Sequence, residues 1–226
     1  MPKLTPNISD IRVIAKACED SGADAIAATN SIQGLVGIDI ETGKPLLPAF
    51  GGYTGSCVHP VMLRIVAQIV QTVRIPISGI GGVSNWRHAV EMMMVGASTV
   101  QVGTAVMWHG YQVINEILEG IQSFINRKGY KSIKDIVGIF LKHIITTEEM
   151  AKLPPKVANL DKRLCIGCNR CIKVCGYNAV ELGEDKKIKI IEDKYDGCGL
   201  CVEIFQKSAL KLVVKKKKRP KYNRLL

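Results

Sequence analysis

The sequence predicts an α/β unit with a parallel sheet, followed by a smaller α+β unit that is rich in cysteine. Between residues 1 and 110, short apolar segments alternate with helical patterns. This alternation is typical of parallel strands that are covered by helices and joined by right-handed crossovers. Beyond Pro154 and Pro155 the alternation stops, and cysteine, lysine and short strands take its place. We therefore expect a domain boundary near these prolines.

The elements of the first unit follow from the periodicity of its apolar residues. A helix is expected over 7–21, beginning near Asn7 or Ser9, and a buried strand over 23–28. The segment 35–47 has two arms rich in Ile and Val around a Thr-Gly turn, which predicts an inserted hairpin. The other predicted elements are a helix at 59–73, a strand at 76–80, a helix at 85–95, a strand at 99–103 and helices at 111–126, 132–141 and 148–153.

The composition is typical of a folded protein with a hydrophobic core. Of 226 residues, 47% are hydrophobic and 23% charged, and no stretch reaches the roughly 20 apolar residues that a membrane span requires. The start of the chain has no signal-peptide core, so we expect a cytoplasmic location and no membrane partner.

The net charge is +11, and seven basic residues lie within 215–224. This tail is either a solvated terminus or an attractant for an acidic partner, and no motif supports nucleic acid as that partner.

Three glycine-bearing turns lie where predicted strands meet helices, at 51–56, 79–82 and 103–104. Glycine lets backbone N–H groups approach a phosphate closely, and a helix N-terminus adds partial positive charge. In a barrel of parallel strands, the site lies at the carboxyl ends of the strands. The turns therefore predict a phosphate-bearing cofactor, although tight turns also require glycine for purely conformational reasons.

The strings around these turns resemble a known family. They read KLTPN at 3–7, TNS at 29–31, GGYTGS at 51–56, GIGGV at 79–83 and VQVGTA at 100–105. In this order they are similar to the C-terminal half of the FMN barrel shared by class 1 dihydroorotate dehydrogenases and dihydropyrimidine dehydrogenases. The resemblance implies the C-terminal half of a TIM (β/α)8 barrel over residues 1–110. A closed barrel needs eight βα units, and this segment supplies about four.

The resemblance also implies roles for individual residues. Lys3 matches the lysine that contacts the flavin ring, and Asn30 with Ser31 matches the pair that faces the pyrimidine. The alternatives are a mobile surface lysine at position 3 and a capping or turn residue at position 30. The residues that match the family's turns around the ribityl phosphate of FMN are Gly55, Ile80, Gly81, Gly82, Gly103 and Thr104.

No catalytic residue is assigned. In the family, a loop of the other half-barrel carries the cysteine that donates a proton to the pyrimidine ring, and nothing in residues 1–110 replaces it. Cys18 falls within a helical pattern and Cys57 lies at a helix start beside a turn, so both are expected to be buried, inert thiols.

The cysteines of the second unit form the most specific motif in the chain. Their spacing over 165–175 is C-x2-C-x2-C-x3-C, the ferredoxin run in which three thiolates bind one [4Fe–4S] cluster and the fourth binds a second cluster. Zinc sites usually have C-x2-C pairs with a longer spacer between them. The predicted metal ligands are Cys165, Cys168, Cys171, Cys175, Cys198 and Cys201.

A second copy of the run is incomplete. It keeps Cys198 and Cys201, but Tyr195 and Phe205 stand where its first and last cysteines would be. Each site is then left with three thiolates, which suits one or two clusters, either [3Fe–4S] or [4Fe–4S] with an outside ligand. The alternative is a degraded pair of sites that bind little iron. A hairpin with arms at 179–182 and 187–191, and a closing strand at 210–214, complete a ferredoxin-like plan.

An FMN barrel followed by a ferredoxin-like domain is similar to dihydropyrimidine dehydrogenase and favours it over class 1 dihydroorotate dehydrogenases. The resemblance implies reduction of the 5,6 double bond of uracil or thymine, with electrons from NAD(P)H that pass through iron–sulfur clusters to FMN. No G-x-G-x-x-G fingerprint occurs, so we expect an FAD- and NAD(P)H-binding partner subunit. The alternatives are a ferredoxin-type electron-transfer module on an incomplete barrel, a dihydroorotate dehydrogenase-like enzyme and a truncated reading frame.

The expected division of the chain has four parts. Residues 1–110 form the FMN-binding half-barrel, 111–155 a helical linker region, 156–214 the ferredoxin-like domain and 215–226 the basic tail. Because a half-barrel leaves apolar strand edges open, we expect aggregation or an oligomeric assembly.

Overall fold

The structure is a computed structural model, and it describes residues 1–204 and 209–215. The chain divides into two compact units, Met1–Ile144 and Ile145–Leu226. Among the described residues, no helix is both long and apolar enough to cross a membrane.

The first unit is built on a parallel sheet. The strands of the whole unit, inside and outside this sheet, are β1 (Lys3–Leu4), β2 (Ile26–Ala28), β3 (Ile32–Gly34), β4 (Ile38–Asp39), β5 (Lys44–Pro45), β6 (Gly51–Tyr53), β7 (Ile77–Ile80) and β8 (Thr99–Gln101). Its helices are α1 (Ile11–Asp20), α2 (His59–Val70), α3 (Trp86–Met94), α4 (Thr104–His109) and α5 (Gln112–Lys128), with 3-10 turns at Ser56–Val58, Ile133–Ile136 and Leu141–His143. Strands β1, β2, β7 and β8 pair in parallel in that order. Each βα unit therefore adds its strand beside the previous one, and the predicted parallel α/β unit is confirmed.

Burial of apolar residues explains why these elements pack together. β2 is buried along its whole length, as is typical of strands in parallel sheets. Helix α5 repeats apolar residues at helical spacing, and its buried face packs against α3. At this contact Gly120 lies against Trp86, and a Cβ at position 120 would overlap the indole. Helix α5 thus belongs to the first unit, whereas the sequence places it in a linker over 111–155.

An excursion of two nested hairpins separates β2 from α2. β3 pairs with β6 and β4 with β5, antiparallel in both cases, which confirms the hairpin predicted at 35–47. Asn7 connects the excursion to the sheet, because its side chain accepts a hydrogen bond from the Gln33 backbone N–H at 2.8 Å and donates one to the Ser31 backbone carbonyl at 3.0 Å. The apolar side chains of the excursion that are at least 50% exposed are Leu35, Val36, Ile38, Ile40, Leu46 and Phe50.

The second unit pairs its first strand with its last. Its elements are α6 (Thr147–Lys152), β9 (Lys156–Leu160), α7 (Arg170–Lys173), β10 (Val180–Leu182), β11 (Ile188–Ile190), a 3-10 turn at Glu192–Lys194, α8 (Leu200–Glu203) and β12 (Leu210–Val214). β10 and β11 form the predicted hairpin, and β12 is the predicted closing strand. Its antiparallel partner β9 is not predicted from the sequence, because KVANL has only one β-branched residue and follows two prolines.

Removal of the Asn85 side chain tests the cap of α3. This side chain accepts from the backbone N–H groups of Arg87 at 2.9 Å and His88 at 3.1 Å. We expect Asn85→Ala to lower the free energy of unfolding by about 1 kcal/mol, the usual cost of losing an N-cap. Asn85→Asp should keep most of the stability that the cap contributes, because aspartate also caps helices. Chemical denaturation measures the change. Asn115→Ala, on the exposed face of α5, is the control, and equal losses in the two alanine variants would contradict a capping role.

Candidate cofactor sites

One cleft in the first unit gathers the residues that the turns and strings predict. It lies at the carboxyl ends of the parallel strands, where the loops lead into helices. The nine predicted substrate- and FMN-binding residues all line it: Lys3, Asn30, Ser31, Gly55, Ile80, Gly81, Gly82, Gly103 and Thr104. Their shared location is the condition for a common ligand, while the role of each residue stays a prediction.

The turn after β7 approaches α2 so closely that only glycine fits. Gly81 has φ +122° and Gly82 has φ +70°, both in the region that favours glycine. A Cβ at Gly81 would overlap Met62, and a Cβ at Gly82 would lie 2.7 Å from the backbone nitrogen of His59. Since α2 begins at His59, the turn lies directly against the first residue of this helix. This part of the cleft is therefore lined by backbone.

The turn after β8 leads into α4 without a side-chain cap. Gly103 is the N-cap residue, and no side chain accepts from the first N–H groups of the helix. A Cβ at Gly103 would meet nothing within 4 Å, so the position is open. The Thr104 hydroxyl donates to the Thr54 hydroxyl at 3.0 Å and joins this turn to the 51–56 turn. Uncapped backbone N–H groups beside open space fit a phosphate, so the residues present fit FMN.

Asn30 and Lys3 bring polar donors to the same cleft. Asn30 follows β2 and is exposed, and its side-chain oxygen accepts from the Ser31 backbone N–H at 2.9 Å. This contact fixes the amide, whose NH2 group has no partner among the described residues. Lys3, the first residue of β1, is exposed as well. An amide donor and an ammonium group suit the carbonyl oxygens of flavin and pyrimidine rings.

Three further lining residues are not predicted from the sequence. Thr29 is buried, and its hydroxyl donates to the Asn30 carbonyl at 3.0 Å. Ser84 and Trp108 also line the cleft, and a Cβ at Gly55 would lie 2.8 Å from the Trp108 indole. Thr29 stands within the 29–31 string, which is a signal for it. The contact of Trp108 joins distant parts of the chain, and no local pattern indicates it.

Two histidines fix the carbonyl groups of the turn after β7. Nδ1 of His59 lies 3.3 Å from the Gly81 carbonyl oxygen, and Nδ1 of His88 lies 3.1 Å from that of Gly82. A carbonyl oxygen only accepts, so the contact of His59 requires a proton on its Nδ1. Nδ1 of His88 also lies 3.4 Å from the Ser84 backbone nitrogen and 3.1 Å from the Ser84 hydroxyl oxygen. The rings stack with centroids 4.2 Å apart, and Nε2 of His59 lies 2.9 Å from Oε2 of Glu91. Burial lowers the pKa of His88, and neighbouring His59 lowers this pKa further.

The first group of cysteines in the second unit lies around α7. Cys165 and Cys171 are buried, Cys168 is exposed, and all are free thiols. Burial, together with the neighbouring thiols, first among them Cys201, raises the pKa of Cys171 to about 11. Such thiols ionise when a cationic centre compensates their charge, as iron does, so the donor set fits a cluster. Phe205, at the expected fourth position of this group, lies outside the described residues.

The second group combines cysteines from both motifs. Cys175, Cys198 and Cys201 line one small pocket together with Tyr195. Cys175 belongs to the first motif in sequence, so its place beside the other two matches the expected exchange of fourth ligands. Its Sγ accepts from the Ala179 backbone N–H at 3.3 Å. Burial raises the pKa of Tyr195 and of Cys201, and three thiols facing one pocket fit a cluster with three protein thiolates.

Comparison with known proteins gives the family of the first unit. The sequence model described as dihydroorotate dehydrogenase matches residues 1–125. The chain belongs to this family. The model described as 4Fe-4S dicluster domain matches residues 158–206. The two matches confirm the predicted fold class, the C-terminal half of a TIM barrel followed by a ferredoxin-like domain, and the predicted cofactors, FMN and iron–sulfur clusters.

Three relatives show how far the similarity extends. The chain is 34% identical over 198 residues to the NAD-dependent dihydropyrimidine dehydrogenase subunit PreA of Escherichia coli K12, covering 81% of this chain and 47% of that protein. It is 45% identical over 141 residues to the catalytic subunit of dihydroorotate dehydrogenase B (NAD(+)) of Pyrococcus abyssi, covering 62% and 47%. For the same subunit of Methanosarcina mazei the identity is 47% over 138 residues, covering 61% and 43%. The chain thus spans about half the length of these curated relatives.

Substitution of Gly82 tests the glycine turn as part of an FMN site. A Cβ at this position would be strained at φ +70° and would press on the backbone of His59, so the turn must move. We expect Gly82→Ala to weaken FMN binding about tenfold, a loss of about 1.4 kcal/mol, measured by quenching of flavin fluorescence. The control is Gly43→Ala, which has φ +66° in an exposed turn with nothing within 4 Å. Equal FMN affinity in the two variants would remove the turn from the site.

The lowered pKa of His88 predicts acid sensitivity. The unfolded chain binds the His88 proton near the ordinary pKa of 6.5, whereas the folded chain resists protonation to lower pH. The stability that neutral His88 contributes is therefore present above pH 6.5 and is lost as the pH falls below it. We expect the free energy of unfolding to fall less between about pH 7.5 and about pH 5.5 in His88→Asn than in the unchanged chain. His143→Asn, at an exposed position, should keep the original pH dependence of the free energy of unfolding. The same pH dependence in His88→Asn as in the unchanged chain would contradict the prediction.

Proposed function

We propose that this chain is the FMN- and iron–sulfur-binding part of an oxidoreductase that reduces the 5,6 double bond of uracil or thymine. The observation that supports this most is the extent of the similarity to the dihydropyrimidine dehydrogenase subunit. That similarity covers 81% of the chain, whereas the similarity to the dihydroorotate dehydrogenase B subunit of Pyrococcus abyssi covers 62%. In this proposal the cysteines of the chain hold iron–sulfur clusters that carry electrons, and the cleft of the same chain holds the flavin that donates the hydride.

The polar groups of the cleft orient the reactants in this proposal. FMN, when bound, supplies the hydride for the reduction. The NH2 group of Asn30, which has no partner in the part of the chain that the structure describes, donates to a pyrimidine carbonyl. The Ser31 hydroxyl, 3.4 Å from the Asn30 side-chain oxygen, lies close enough to add a second contact. The ammonium group of Lys3 stabilises negative charge on the flavin ring. The uncapped N–H groups at Gly103 and Thr104 hold the phosphate.

The remainder of the barrel supplies what this half lacks. In the described sheet, β1 and β8 are edge strands, and each leaves one row of backbone groups without a strand partner. We place the other half-barrel against these edges, as a further segment or another chain, so that the functional form is an assembly. The same half brings the proton donor to the pyrimidine ring, because no residue of this chain is assigned that role.

Electrons reach the cleft from a partner in this proposal. The chain has no G-x-G-x-x-G fingerprint, so we assign the binding of NAD(P)H and FAD to a partner subunit. The six cysteines of the second unit hold the clusters that relay electrons from that subunit.

A dihydroorotate dehydrogenase-like activity is the second candidate. It is favoured by the identities with two dihydroorotate dehydrogenase B subunits, which are 45% over 141 residues and 47% over 138 residues. The 34% identity with the dihydropyrimidine dehydrogenase subunit is lower but extends over 198 residues. The two substrates differ by the carboxylate of orotate, which needs a cationic partner. Lys3 is the one charged residue in the described lining of the cleft, and it is assigned to the flavin.

Ligand binding separates the two candidates. We expect uracil to change the absorbance of FMN bound to the purified chain and orotate to leave it unchanged, because the cleft offers amide and hydroxyl donors but no second cation. Asn30→Ala should weaken uracil binding about tenfold, since it removes a hydrogen bond to a carbonyl oxygen. Asn159→Ala, at an exposed position of β9, is the matched control. Binding of orotate without uracil would favour the second candidate, and absence of FMN both from the purified chain and from its assembly with the other half-barrel would contradict both.

A further inference from the structure

Tyr195 stands at a ligand position of the second cluster site. It lies three residues before Cys198, where a complete ferredoxin run has its first cysteine. Its side chain is buried, with 9% exposure, and it lines the same pocket as Cys175, Cys198 and Cys201. A tyrosine at this position either binds iron through its oxygen or acts on a neighbouring ligand.

The position of the hydroxyl group decides between these roles. Oη of Tyr195 lies 3.1 Å from Sγ of Cys201, which is a hydrogen-bond distance. Two side chains that bind one cluster bind different iron atoms at separate corners, so their ligand atoms lie farther apart than this. When Cys201 binds iron as a thiolate, its sulfur only accepts, and the tyrosine hydroxyl donates. The distance therefore fits a hydrogen bond to a ligand rather than a second ligand.

Among the residues that the structure describes, the pocket then has three cysteine thiolates and no fourth. Tyr195 occupies the position of the missing cysteine in the sequence motif, and it lines the pocket of the three thiols. A [3Fe–4S] cluster takes one protein ligand at each of three irons, whereas a [4Fe–4S] cluster takes a fourth. We propose that Cys175, Cys198 and Cys201 hold a [3Fe–4S] cluster, with Tyr195 in place of a fourth cysteine and hydrogen-bonded to Cys201. This proposal rests on the iron–sulfur function proposed above.

Tyr195 is accordingly a positioning residue that tunes the cluster. A hydrogen bond to a cluster sulfur stabilises the reduced form, in which the sulfur carries more negative charge, and this raises the reduction potential. The hydroxyl and the ring make separable contributions. Tyr195→Phe removes the hydrogen bond and keeps the ring, whereas Tyr195→Cys restores a thiolate at the fourth corner.

The experiment isolates this site within the full chain. Cys168→Ser removes one thiolate from the other site, and all variants are made in this background and reconstituted anaerobically with iron and sulfide. Iron content, electron paramagnetic resonance and a redox titration are the readouts, because an oxidised [3Fe–4S] cluster is paramagnetic and an oxidised [4Fe–4S] cluster is diamagnetic. We expect the chain with Tyr195 to show the oxidised signal. Tyr195→Phe should keep this signal at a lower reduction potential, and Tyr195→Cys should lose it and gain one iron.

The remaining outcomes overturn the proposal. A diamagnetic oxidised cluster that Tyr195→Phe destroys would make the tyrosine a ligand. Iron in Tyr195→Cys but none in the chain with Tyr195 would make the tyrosine a block to cluster assembly. An unchanged reduction potential in Tyr195→Phe would show that Tyr195 does not donate a hydrogen bond to Cys201. Absence of iron from every variant and from the unsubstituted chain would instead contradict the proposed iron–sulfur function itself.

Discussion

The cleft of the first unit depends on the close contact between the turn after β7 and the first residue of α2. Gly82 lies against the His59 backbone, where a Cβ would stand 2.7 Å from the nitrogen. This proximity brings the end of a parallel strand and the start of its neighbouring helix to one wall of the cleft. The stacked pair of His59 and His88 then hydrogen-bonds the carbonyl groups of the same turn. A larger residue at position 82 would separate the helix from the strand and widen the cleft.

Local patterns predict the elements of this fold better than their partners. The helix predicted at 85–95 is found at Trp86–Met94, because Asn85 is a strong cap and the apolar spacing is regular. Helix α1 begins later than predicted, because Asp10 rather than Asn7 or Ser9 caps it. The side chain of Asn7 instead hydrogen-bonds to a segment more than twenty residues away. Helix α5 is also found as a helix, yet its place in the first core depends on Trp86, which no local pattern reveals.

The same distinction applies to the candidate sites. Glycine turns and cysteine spacing are local signals. The residues that they predict lie in one cleft of the first unit and in two sets of cysteines in the second unit. The contact of Trp108 with Gly55 and the histidine pair arise from tertiary packing, so the sequence gives no signal for them. Tyr195 is intermediate, because its register in the motif is visible in the sequence, whereas its hydrogen bond to Cys201 requires the folded pocket.

Cys175 lies next to the helix of the first motif but faces the pocket of the second. The second set of thiols, Cys175, Cys198 and Cys201, can therefore not be completed by one stretch of the chain, and both motifs must be in place before these three cysteines face one pocket. We therefore expect metal insertion to be coupled to the folding of this unit, since binding free energy becomes folding free energy when the site forms only in the folded state. A cell that is short of iron would thus hold less of this unit in its native form, and the availability of the metal would govern how much electron-carrying protein persists.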